Sequence, residues 1–129
     1  MLGVNTASWL LKGQPNVAAR LKATAPERIC LSVVTEAELL FGIAKRPEAR
    51  TLRAAVDELL AAIDVLPWTS TTARRYGVLR AELERRGRPL GALDLMIAAH
   101  AVERDMMLVT NDRAFDAVPG LRLEDWTQA

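Results

Sequence analysis

Three carboxylates stand where a purely solvated role is not the obvious reading. Glu38 lies on the first turns of the helix that follows CLS, Asp94 opens the most apolar helical stretch of the chain, and Asp112 directly follows MMLVT. Carboxylates gathered in one place repel and raise one another's pKa, so a fold that keeps them is balanced by a cation. Oxygen donors of this kind suit Mg²⁺ or Mn²⁺. Each acid also has a plain structural role available. Glu38 stands three residues after Thr35, at capping-box spacing, and Asp94 and Asp112 are both placed as N-caps.

Other chemistries find little support. The one histidine, His100, sits inside IAAHA and reads as a core or supporting residue, so no HExxH zinc site exists. Neither GxGxxG nor GxxxxGK[ST] occurs. The single cysteine, Cys30, lies between Ile29 and Leu31, which predicts a buried strand thiol and fits a reducing cytoplasm. A formal charge of +1 over 129 residues neither demands nor excludes nucleic acid. No apolar run reaches the ~20 residues needed to span a bilayer. The start of the chain lacks the positive region of a signal peptide, so a cytoplasmic location is expected.

The elements that must position the acids alternate. Residues 1–4, RICLS, DVLP and MMLVT read as strands, and LRLEDW as a possible edge strand. SWLLK, PNVAARLKAT, TEAELLFGIAKR and residues 48–63 read as helices, the last with Leu52, Val56, Leu59, Leu60 and Ile63 on one stripe. A long helix from Thr69 to Arg86 is closed by Gly87, LDLMIAAHAVER is apolar nearly all round, and TNDRAF turns into a short helix. This order predicts an α/β fold with a mostly parallel sheet covered on both faces, in one domain spanning 1–129. The acids would then meet beyond the carboxyl ends of the strands. Between Arg74 and Arg88 six arginines face two glutamates. They form either a solvated face with pairs such as Glu82–Arg86 or a stripe for phosphates. On the helix at 33–46, Leu40 and Phe41 beside Lys45–Arg46 suit an interface.

SVVTEAELLFGIAKRPEA, LGALDLMIAAHA and MMLVTNDRAFDAVPGLRLEDW resemble, in order, the later motifs of PIN-domain proteins, and most of all VapC toxins, the ribonucleases of VapBC toxin–antitoxin pairs. The resemblance implies a PIN-like three-layer fold and metal-assisted hydrolysis of RNA. It places Glu38, Asp94 and Asp112 as catalytic and metal-holding acids for Mg²⁺ or Mn²⁺. Asp116 is a weaker substitute for Asp112, and Thr110 an assisting hydroxyl. It implies a VapB-like antitoxin as partner, an RNA substrate such as tRNA, and a homodimer. The family's first motif, LDTN, carries one more aspartate. Ungapped, LGVNTASWLLKG sets Gly3 on that aspartate, Val4 on the threonine and Asn5 on the asparagine; matching Asn5 to the aspartate needs a two-residue gap. On either placement the first acid is absent, which predicts weakened cation binding and an impaired ribonuclease. A non-catalytic PIN module that binds antitoxin or RNA is the alternative. A structure-specific DNA nuclease is a third, opposed by the small size of the chain.

Overall fold

The computed structural model describes all of residues 1–129. Strands β1 (Cys30–Ser32) and β2 (Asp64–Leu66) pair in parallel, as do β3 (Leu108–Val109) and β4 (Leu123–Glu124). The leading residues join the two pairs. Leu2 bridges Leu31 on one side and Val109 on the other, both in parallel. Leu2 N–H donates to the Cys30 carbonyl, Gly3 N–H to that of Val109, and Val109 N–H to that of Met1. The sheet thus runs β2, β1, the leading segment, β3, β4, all parallel.

Helices α1 (Val4–Leu11), α2 (Pro15–Ala23), α3 (Val33–Ala44), α4 (Arg50–Ala62), α5 (Ser70–Arg85) and α6 (Ala92–Glu103) alternate with these strands. Two cores divide between the faces of the sheet. Leu2, Leu31 and Val109 pack with Ala7, Val17, Leu39, Val56 and Leu59 from α1 to α4. Met1, Cys30 and Leu108 pack with Leu79, Leu83, Leu95 and Ile97 from α5 and α6. This is the two-residue alternation of a pleated sheet buried on both sides. The expected α/β architecture, with helices flanking a parallel sheet, is the one observed. No helix is long and apolar enough to cross a membrane.

Several local expectations differ. The first strand does not extend to residue 4: only Leu2 forms bridges and α1 already begins at Val4, with Gly3 as its N-cap. Thr35 does not cap α3. β1 passes into α3 without a loop, so Ser32 is the cap and its hydroxyl accepts from Val34 N–H at 3.1 Å. Thr35 and Glu38 lie inside the helix, and no capping box joins them. Nor does Asp94 cap α6, whose N-cap is Gly91. Asp112 does cap, its Oδ1 accepting from Ala114 N–H at 2.9 Å at the start of a 3₁₀ turn, Arg113–Ala117. Cys30 is buried as expected. Gly87 takes φ +67°, the left-handed position that ends α5.

Candidate active site

The register of the central strands sets the site. With Leu2 opposite Leu31 and Val109, the next residue along the pleat places Gly3 between Ser32 and Thr110. These three share the face of Met1, Cys30 and Leu108, the face covered by α6. They form a row at the carboxyl ends of three adjacent strands, the usual place for a ligand in an open parallel sheet.

α6 carries Asp94 in its first turn, where it shares a cleft with Val4 and Asn5, the residues directly after Gly3. Burial first, then the charges of Asp112 and Glu38, raise the Asp94 carboxyl above its usual value. Two acids from other elements therefore act on Asp94. Glu38 and Asp94 line one cleft of about 370 Å³, together with Val4 and Asn5. Asp112 lines a second of about 260 Å³ with Thr110, Asn111, Asp116 and Glu124. Asp116 is more exposed than Asp112 and lies 3.7 Å from Arg113.

The oxygen-donor chemistry suits a hard divalent cation, and the repulsion that Asp94 meets is what a cation would relieve. Yet no three of these side chains close to a common ion-holding distance. The repulsion is long-ranged and the closing distance short-ranged, so the two observations describe an open acidic site. Gly3 lies in the row beside Thr110 and has no side-chain donor. Its φ of −74° is open to any residue, so the backbone does not require glycine there. A Cβ at Gly3 would meet the Val109 carbonyl oxygen at 3.1 Å and Thr110 Cβ at 3.6 Å. That carbonyl already accepts from Gly3 N–H at 2.9 Å and Thr6 Oγ1 at 2.7 Å.

A family model for the PIN domain matches residues 4–121. The chain belongs to the PIN-domain family. Among its PIN relatives, the tRNA(fMet)-specific endonuclease VapC of Salmonella typhimurium is 36% identical over 127 residues, 98% of this chain and 96% of that one. The protein of the same name from Shigella flexneri is 38% identical over 128 residues, 98% and 97% of the two chains. In solved structures, a chain of the DNA-bound VapBC of S. typhimurium superposes with a TM-score of 0.92 at 37% identity, covering 98% of this chain and 96% of that chain. A chain of VapBC2 of Rickettsia felis, bound to a DNA fragment from its promoter, gives 0.91 at 32%, covering 98% and 97%. The PIN match begins one residue after Gly3.

Sequence reasoning passed over three site neighbours. Asn5, which the ungapped placement makes the motif's asparagine, lines the Glu38–Asp94 cleft. Ser32 caps α3 and touches His100, whose Nδ1 lies 2.8 Å from its hydroxyl; a serine directly before a helix was the available signal. Leu93, exposed at the cleft edge, carried no signal. Of the six arginines between 74 and 88, Arg80 pairs with Glu84 and Arg86 with Glu82, as solvated i,i+4 pairs. Leu40 and Phe41 are exposed on α3, with Lys45 over the Phe41 ring.

Proposed function

We propose that this chain is the toxin ribonuclease of a VapBC-type pair, acting on tRNA or another structured RNA, with a site impaired at Gly3. The relatives' names support the ribonuclease class. The observation that supports the impairment is the row Ser32–Gly3–Thr110: its middle position contributes no oxygen, while Thr110 lines the cleft of Asp112, and Val4 and Asn5, directly after Gly3, line that of Glu38 and Asp94. The same reading takes residues 1–129 as one domain, acting in the cytoplasm as a homodimer and held by a VapB-like antitoxin.

In this reading Asp94, Glu38 and Asp112 hold the cofactor, Mg²⁺ or Mn²⁺, and Thr110 assists. A cation held there would supply charge stabilisation for the scissile phosphate and a lowered pKa for an attacking water. The chain's own groups do the rest. Asp94, already destabilised as an anion, gains most from the cation. Asp112 is oriented by its bond to Ala114 N–H, leaving its second oxygen free. Glu38 lines the same cleft as Asp94. With no carboxylate at position 3, the set lacks the donor in the central strand, and a misplaced cation or water costs rate steeply.

Cleavage of purified tRNA in Mn²⁺, by the chain and by Gly3→Asp/Val4→Thr, tests this. The double variant is expected to cut about 10²–10³-fold faster, the worth of several kcal/mol of charge stabilisation. Full-rate cleavage by the unaltered chain, or no gain on reversion, refutes the impairment. No cleavage by either favours a non-catalytic module that binds antitoxin or RNA.

A further inference from the structure

The first turn of α6 divides two cavities. On one side lies the cleft of Glu38 and Asp94. On the other is a cavity of about 190 Å³ between α5 and α6, lined by Tyr76, Arg80, Leu83, Glu84 and Leu90 among others. Ala92 lines both. We propose that the second cavity is a subsite for one unpaired nucleobase of the RNA, with guanine the best match. The proposal rests on the ribonuclease reading and adds a recognition element to it.

Three features carry it. The floor is apolar and fixed: Leu83 and Leu95 are buried core residues. The aromatic wall is held in place, because the Tyr76 ring packs edge-on against Trp68 at 5.9 Å and 73°. Trp68 in turn donates from Nε1 to the Met96 carbonyl of α6 at 3.1 Å. The polar rim is pre-oriented, since Arg80 donates from Nε to Glu84 Oε1 at 3.1 Å and from Nη1 to Tyr76 Oη at 3.2 Å. Unpaired RNA bases are held this way, by a flat contact with an aromatic ring and hydrogen bonds to the base edge.

Size and donor pattern narrow the occupant. The cavity is smaller than the ~300 Å³ lower bound of common ligand pockets, which suits a single base. Arg80 offers further N–H donors next to the carboxylate of Glu84, a pure acceptor. Guanine presents the complement on one edge: the O6 acceptor beside the N1–H and N2–H donors. Uracil has only one donor on its edge and cannot engage both carboxylate oxygens. An i,i+4 surface pair explains Arg80–Glu84 alone. It does not explain the locked ring or the apolar floor beside it.

Tyr76 is the only tyrosine of the chain, so 3-fluorotyrosine labelling gives one ¹⁹F resonance to watch. The RNA tetranucleotides UUGU and UUUU, fluorescein-labelled for anisotropy, are the probes. UUGU is expected to bind about tenfold tighter than UUUU, a modest base discrimination, and to move the ¹⁹F resonance. Tyr76→Leu and Glu84→Gln should each erase that preference; Glu84 is exposed, so its variant keeps the test if Tyr76→Leu folds poorly. Equal affinities, a preference that survives both variants, or a stationary resonance overturns the proposal. So does a loss of antitoxin binding in these variants with UUGU affinity unchanged, which assigns the cavity to a protein. Cleavage by Gly3→Asp/Val4→Thr reads the nuclease separately. Cleavage with a stationary resonance removes the subsite and keeps the nuclease; a moved resonance without cleavage does the reverse.

Discussion

His100 Nδ1 lies 2.8 Å from Ser32 Oγ, and both residues are wholly buried. The contact ties α6, which carries Asp94, to the N-cap of α3, which carries Glu38. Ser32 Oγ also accepts from Val34 N–H, so one hydroxyl serves both the cap and the tie. Ser32→Ala should therefore cost on the order of 2–3 kcal/mol, the loss of a cap plus an orphaned imidazole. Urea denaturation measures it. Ser32→Ala/His100→Leu should lose less than the sum of the single variants, because no buried partner is then stranded. Strict additivity would contradict the tie.

The same histidine gives the fold a pH dependence. Burial lowers the His100 pKa below its usual 6.5; Glu103 and the Pro67 carbonyl oppose the shift, and Arg104 reinforces it. Nε2 has no hydrogen-bond partner, so the Pro67 carbonyl is a neighbour and not a closed contact. The unfolded chain then takes up the proton more readily than the folded one. Stability from this group is present above about pH 6.5 and declines as the pH falls through that value. Melting curves between pH 7.5 and 5 should show the decline, and His100→Asn should flatten it.

Asp94 carries the opposite sign. Its pKa is raised, so the folded chain holds the proton better than the unfolded one. Its contribution is favourable at low pH and is lost as the pH rises through the folded value. At pH 7 Asp94→Asn should melt higher than the unaltered chain, and the difference should vanish in acid. In the Gly3→Asp/Val4→Thr background the same change should lower Mn²⁺-dependent cleavage by about 10²-fold or more. An Asp94→Asn chain that melts lower at pH 7 would contradict the repulsion.

Leu2 carries the joint between the two halves of the sheet and is 1% exposed. Leu2→Ala should cost about 2–5 kcal/mol. Leu40→Ala, on the exposed face of α3, should stay within about 0.5 kcal/mol. Equilibrium unfolding of the two variants separates a structural seam from a free surface.

How far the sequence could be read varies by element. α5 and α6 were legible because each carries its own signal: Gly87 closes one, and the continuous apolar run of the other leaves no solvated face. Asp94 and Asp112 stood out because one lies in the first turn of a helix and the other follows a strand; Glu38, inside α3, had only its place after CLS to mark it. The leading segment was only half legible, since three residues ahead of α1 are too few to show a two-residue period and Val4 suits strand and helix alike. The cap of α3 was misplaced because Ser32 and Thr35 are both capping types. Only the tertiary register, with Leu2 between Leu31 and Val109, chooses between them by ending β1 at Ser32. That register also places position 3 on the α6 face, which no local pattern reveals.

In the proposed reading the site lacks one carboxylate, and its place is Gly3. Isothermal titration of Mn²⁺ into the chain and into Gly3→Asp tests it without relying on catalysis. The new Cβ must displace the Val109 carbonyl by a few tenths of an ångström, so both proteins are first matched by circular dichroism. Gly3→Asp is expected to bind Mn²⁺ at least about tenfold tighter, and Mn²⁺ should raise its melting temperature more than that of the unaltered chain. Equal affinity in two equally folded proteins would contradict the account.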